Sequence, residues 1–108
     1  MDEMDERLNK LDDRELRSLM VQVATELARA GPQNVDRTVL HEVARRLAPP
    51  NLPPGVIYRP QLAGQQRLLR TWHGLFQDGT LAYGYSIDSP GLPWFHVPPQ
   101  PAKRPPAL

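Results

Sequence analysis

The side chains best suited to chemistry in this chain are Gln66, Arg70, His73 and Gln77, with Arg67 beside them. At about 100° per residue these four fall on one stripe of a helix. Arginine forks onto the acceptor edge of guanine and glutamine pairs with adenine, so the stripe holds residue types that read base edges. Arg37 and Arg45, on a preceding helix, add cations of the kind that hold phosphates and fix register without reading sequence. Glutamine and arginine are also good helix formers, and such a stripe equally describes an ordinary solvated face.

Catalytic patterns fail on inspection. His41-Glu42 opens a zinc-protease-like motif, but Arg45 stands where the second histidine is needed. Gly84-Tyr85-Ser86-Ile87-Asp88 lacks the closing glycine of a nucleophile elbow. The seven glycines are isolated, so there is no phosphate-cradling loop. With no cysteine, disulfides and thiolate sites are excluded. Asp88 and His96 could face one another across a hairpin, but no nucleophile accompanies them. Neither an enzyme, a cofactor nor a metal site is expected.

The element that positions the stripe begins at Pro60. Leu68, Leu69, Trp72, Leu75 and Phe76 recur at spacings of three and four, which predicts an amphipathic helix stopped at Gly79. Leu81, Tyr83, Tyr85 and Ile87 then alternate, Asp88-Ser89-Pro90-Gly91 turns, and Leu92 to Val97 returns as the second strand. The alternation predicts one apolar face turned to the helices, with Tyr83 and Tyr85 meeting Trp94 or His96 across the ribbon.

Two earlier helices are expected. Asp12 with Glu15 forms a capping box, flanked by Leu11 and Leu16 as a staple, and Leu16, Leu19, Met20, Val23, Leu27 and Ala30 share one face up to Gly31-Pro32. Asp36 can cap a second helix to about Ala48, with Val39, Leu40, Val43 and Leu47 inward and Arg37, His41 and Arg45 outward. Pro49 to Arg59 reads as a stiff loop in which Val56-Ile57-Tyr58 could pair with the hairpin edge. The fold class is therefore α+β, mostly α: three helices and a C-terminal β-hairpin. An acidic N-terminal arm (residues 1–11) precedes the domain (12–97), and a proline-rich tail (98–108) follows it.

Charge is sorted along the chain. Residues 1–35 hold five Lys/Arg against eight Asp/Glu, a net −3, and residues 36–108 hold eight against four, a net +4. This suggests a basic working surface with an acidic appendage. In the tail, Pro98-Pro99-Gln100-Pro101-Ala102-Lys103 matches a pattern that aromatic grooves grip in polyproline form. The acidic start excludes a secretory signal and no apolar run spans a membrane, which makes the cytoplasm the expected compartment.

The run Trp72-His73-Gly74-Leu75-Phe76-Gln77-Asp78-Gly79-Thr80-Leu81-Ala82-Tyr83-Gly84-Tyr85, with Pro90 and Pro93-Trp94-Phe95-His96-Val97, resembles the last helix and wing of winged-helix (winged helix-turn-helix) modules in uncharacterised bacterial proteins. The resemblance covers about Val35 to Val97 and implies a winged-helix-like fold with DNA or protein binding. The proline-rich connection departs from it, because a DNA-reading helix-turn-helix uses a turn of three or four residues. The leading expectation is a DNA-binding regulator or accessory subunit, with the hairpin tip near Ser89 touching backbone. The alternative is a protein–protein adaptor in a larger assembly. Val21 and Ala28, flanking the first helix's stripe, suggest a homodimer through residues 12–30.

Overall fold

The computed structural model describes residues 5–30 and 35–99. The chain is α+β and mostly helical: α1 (Glu6–Lys10), α2 (Asp13–Ala30), α3 (Asp36–Arg46), α4 (Leu62–Gln77), β1 (Ala82–Tyr83) and β2 (Phe95–His96). Residues 1–4, Gly31-Pro32 and the greater part of the proline-rich tail, with its Lys103 and Arg104, lie outside the described residues.

Helix α2 is the central element and packs on both α3 and α4. It starts where its capping box dictates: the Asp12 N–H donates to Glu15 Oε1 at 2.9 Å and the Glu15 N–H to Asp12 Oδ1 at 2.8 Å. Leu16, Met20, Val23 and Ala24 point inward. They meet Val39, Val43 and Leu47 from α3, and Leu68, Trp72 and Leu75 from α4, in one contiguous core closed by Leu81 and Phe95 of the hairpin. Val21 is partly buried against this same core.

Residues 5–11 are part of the fold rather than an arm. Leu8 is fully buried, and the Asp5 carboxylate accepts from the Tyr58 hydroxyl at 2.6 Å and from the Gln61 N–H at 3.0 Å. Gln61 is the N-cap of α4, so a carboxylate sits where the helix dipole favours one. Pro60 thereby lies outside the first turn of α4, not in it.

Gly64 is what lets α1 approach α4. A Cβ there would stand 2.9 Å from Leu8 Cδ2 and 3.0 Å from Pro60 Cβ, whereas one at Gly74 would meet nothing within 4 Å. Both glycines weaken the helix by about 1 kcal/mol relative to alanine. The two substitutions should therefore have opposite signs. Gly74→Ala raises stability by about 0.5–1 kcal/mol in urea unfolding. Gly64→Ala lowers it by about 1 kcal/mol, because overpacking outweighs the helix gain.

Helix α3 is capped one residue earlier than expected. Val35 is the N-cap and has no side-chain cap bond, while the Asp36 N–H donates to the Pro93 carbonyl at 3.0 Å. Val35 also bridges Trp94 in antiparallel sense. The pairing expected of Val56–Tyr58 is thus made by Val35: Val56 and Ile57 are exposed, and no described strand includes them. Residues 47–61 separate α3 from α4.

Helix α4 ends as expected, with Gly79 at φ +82° after the Asp78 C-cap. Asp78 also takes an ion pair from Arg17 of α2. The hairpin ladder is short, with Ala82 opposite His96 and Tyr83 opposite Phe95. The alternation does not persist because Gly84 turns the strand at φ +94°, where a Cβ would stand 2.6 Å from the Pro90 carbonyl oxygen. Leu81 and Phe95 are buried and Tyr83 meets α4, but Tyr85 and Ile87 are exposed, so the expected apolar face is turned to the helices only as far as Tyr83. Tyr83 stacks on Phe76 with centroids 4.0 Å apart, and Tyr85 lies 6.0 Å from Trp94.

Candidate nucleic-acid interface

The free face of α4 is an arc of residues left uncovered by α1, α2 and the hairpin. Gln66, Arg70, His73 and Gln77 are all exposed, and none has a hydrogen-bond or ionic partner among the described residues. The whole helix, LAGQQRLLRTWHGLFQ, contains no carboxylate. Leu62 and Leu69 border the polar stripe on one side and are 66% and 42% exposed. Leu69 was expected in the core. On the wheel it falls beyond the arc of Leu68, Trp72 and Leu75, at the edge where α4 faces α3.

Arg67 does not belong to this surface. Its Nη1 donates to the Leu8 carbonyl at 2.9 Å, and its Nη2 to the Leu11 carbonyl at 2.7 Å and to Asp13 Oδ1 at 3.1 Å. The guanidinium caps the end of α1, joining the Leu11 N–H that the Leu8 carbonyl already accepts at 3.2 Å and serving the Leu11 carbonyl as well.

Arg45 is exposed but committed. It grips Glu42 with Nε to Oε1 at 2.8 Å and Nη2 to Oε2 at 2.6 Å. Arg46 bonds the same Glu42 at 2.9 Å and Glu26 of α2 at 2.5 Å, so the four side chains tie α3 to α2. The hydrogen bonds from Arg45 are the main reason the Glu42 carboxyl falls from 4.5 to about 2; partial burial opposes this and Arg46 adds to it. Glu26 is lowered too, chiefly by Arg46. A carboxyl whose folded pKa is depressed stabilises fully above its unfolded value and loses that contribution as pH falls towards the folded one. Glu42→Gln should therefore lower stability by about 1 kcal/mol at pH 7, with the charged hydrogen bonds as its source. In urea titrations the gap between the two proteins should close as pH falls from 4.5 to about 2. A gap independent of pH would show that the network contributes nothing.

Arg37 remains exposed and has no partner among the described residues, and it shares the edge of a cleft with Arg59 and His41. Arg59 is the cation that sequence reasoning missed. It lies in an extended segment before a proline, where no periodicity marks a face. Cations without a partner among the described residues therefore flank the α4 face: Arg37 and Arg59 on the Leu69 side, and Arg70 within it.

The wing contributes no cation. Residues 79–97 contain no Lys or Arg and one carboxylate, Asp88. Ile87 is 94% and Leu92 67% exposed at its tip. Asp88 and His96 are not brought together as a pair. His96 stands opposite Ala82 in the ladder, and its Nδ1 lies 2.8 Å from the Gly84 carbonyl, onto which its N–H can donate.

No cluster of three metal-ligating side chains occurs among the described residues, and no described helix is long and apolar enough to cross a membrane. No protein-family model, curated protein or solved structure matches the chain.

Proposed function

We propose that this chain is a non-enzymatic, winged-helix-like module that binds duplex DNA through α4, as a regulator or accessory subunit. The observation that carries the reading is the carboxylate-free, unpartnered face of Gln66, Arg70, His73 and Gln77 on a helix docked firmly from behind. A phosphate-lined groove repels carboxylates, so their absence from the exposed helix matters more than the number of cations. The element order supports the fold assignment: two helices (the first short), a bridging residue at Val35, two more helices, then a hairpin that pairs with that bridge. Arg70 and Gln66 approach base edges, while Arg37 and Arg59 meet phosphates. The tip near Ser89 has no Lys or Arg to hold backbone and carries Asp88 instead, which departs from the expected wing contact.

Fluorescence anisotropy with a mixed-sequence duplex tests the reading. With Arg37 and Arg59 on phosphates, log K should fall against log salt with a slope of about −2, or about −3 if Arg70 contacts a phosphate too. Arg70→Ala should flatten that slope by about one unit, or relax base preference at one position; Arg29→Ala, on the far end of α2, should change neither. Undetectable binding at low salt would exclude the reading.

The exposed Ile87 and Leu92 favour a second reading, a protein-docking adaptor, because isolated wing tips of this apolarity suit a partner's groove. If that reading holds, a stoichiometric protein is recovered in pull-down and lost with Ile87→Asp, while DNA affinity stays undetectable.

A further inference from the structure

We infer that the cleft between α3 and the first half of α4 binds a small amphipathic carboxylate, an aliphatic or aromatic acid with a short apolar body. The cleft holds about 220 Å³, below the roughly 300–1,000 Å³ typical of drug-sized ligands. Leu40, Leu68 and Leu69 give it an apolar lining, with Ala44 beneath. Arg37, His41 and Arg59 stand at its edge, all exposed and all without a partner among the described residues. One carboxylate, Asp36, also lines it. Two guanidinium groups against one carboxylate leave net positive charge over an apolar floor.

That combination selects the ligand. A nucleotide is too large and too polar for the space, and an inorganic anion would leave the leucines uncovered. A monocarboxylate with an apolar body buries its hydrocarbon against Leu40 and Leu68 and places its head between Arg37 and Arg59. Guanidinium binds carboxylate through paired, charge-assisted hydrogen bonds that a lysine cannot reproduce. The site spans two helices and shares Leu69 with the edge of the exposed α4 face. An occupant therefore sets the position of α4 against α3 and neutralises cations beside that face. The regulatory consequence rests on the DNA reading; the binding site itself does not.

The test uses the full chain without nucleic acid. Benzoate and hexanoate are titrated against it by amide-resolved NMR, with benzamide and hexanamide as uncharged counterparts. The acids should saturate, perturb residues of the cleft, and bind at least about tenfold more tightly than the amides, a difference of about 1.4 kcal/mol. Arg37→Gln and Arg59→Gln, both at exposed positions, should each weaken the acids about tenfold and leave the amides unchanged. Equal affinity for acid and amide would overturn the proposal, as would shifts scattered over the surface or binding indifferent to both substitutions. A separate anisotropy titration with benzoate present reads the regulatory consequence: weaker DNA binding supports it, and no change removes it while leaving the carboxylate site standing.

Discussion

Trp72→Ala should lower the stability of this protein by about 3–5 kcal/mol, the range for deleting a buried large aromatic side chain. Trp72 is 1% exposed and stands edge-on to Phe76 at 5.0 Å and to Phe95 at 5.2 Å. Phe76 in turn stacks on Tyr83. The four rings therefore run from β2 through α4 to β1, and the indole is the link that holds the ribbon to the helix. Each such ring pair contributes about 0.5–1.5 kcal/mol beyond burial alone. The ribbon's own ladder adds little, since it is two residues per strand and an isolated hairpin is marginal in water. Against a total of about 5–15 kcal/mol for a typical domain, the loss removes a large fraction of folding stability. The second tryptophan, Trp94, reports on the consequence. In the variant, its emission should shift to the red at a lower urea concentration than the loss of helical circular dichroism. Trp72→Phe, which keeps a ring in the site, should cost about 1–2 kcal/mol and keep the two transitions together. If Trp72→Ala unfolds within 1 kcal/mol of the parent, the ribbon is anchored elsewhere.

What could be read in the sequence divides along a physical line. Capping and helical periodicity are local, so the Asp12–Glu15 box, the buried stripe of α2 and the Gly79 stop all appear where the residues place them. The docking of α1 could not be read, because its determinants are distant. Asp5 bonds Gln61, and Leu8 needs the missing side chain at Gly64. An acidic run with one leucine per turn resembles a solvated arm until those partners are known. The hairpin misled for another reason. Alternation from Leu81 to Ile87 describes a continuous strand, but the positive φ of Gly84 re-aims everything after it, and Tyr85 and Ile87 leave the core. On the candidate site, residue types alone identified the exposed stripe of α4. They did not separate cations that are free from cations that are used, since Arg67, Arg45 and Arg70 look alike in sequence. The partners decide: carbonyls of α1 for Arg67, Glu42 for Arg45, and none among the described residues for Arg70.

That distinction makes Arg67→Ala a sharp contrast to Arg70→Ala. The Arg67 side chain is 21% exposed and lies against α1, and its guanidinium serves two carbonyls and a carboxylate. Hydrogen bonds from a charged donor contribute about 1.5–3 kcal/mol, and the Leu11 carbonyl, left without this donor where water is partly excluded, adds to the loss. Arg67→Ala should therefore lower global stability by about 3 kcal/mol. Hydrogen exchange at the amides of α1 should rise furthest, because that helix loses its C-terminal cap. Arg67→Lys restores the charge but not the fork that spans the Leu8 and Leu11 carbonyls, so it should recover less than half of the loss. Arg70→Ala, at an exposed and unpartnered position, should leave stability within about 0.5 kcal/mol of the parent. The pair separates folding from binding on adjacent turns of one helix. Should Arg67→Ala leave stability untouched, its contacts with α1 are incidental and Arg67 returns to the set of cations available to a ligand.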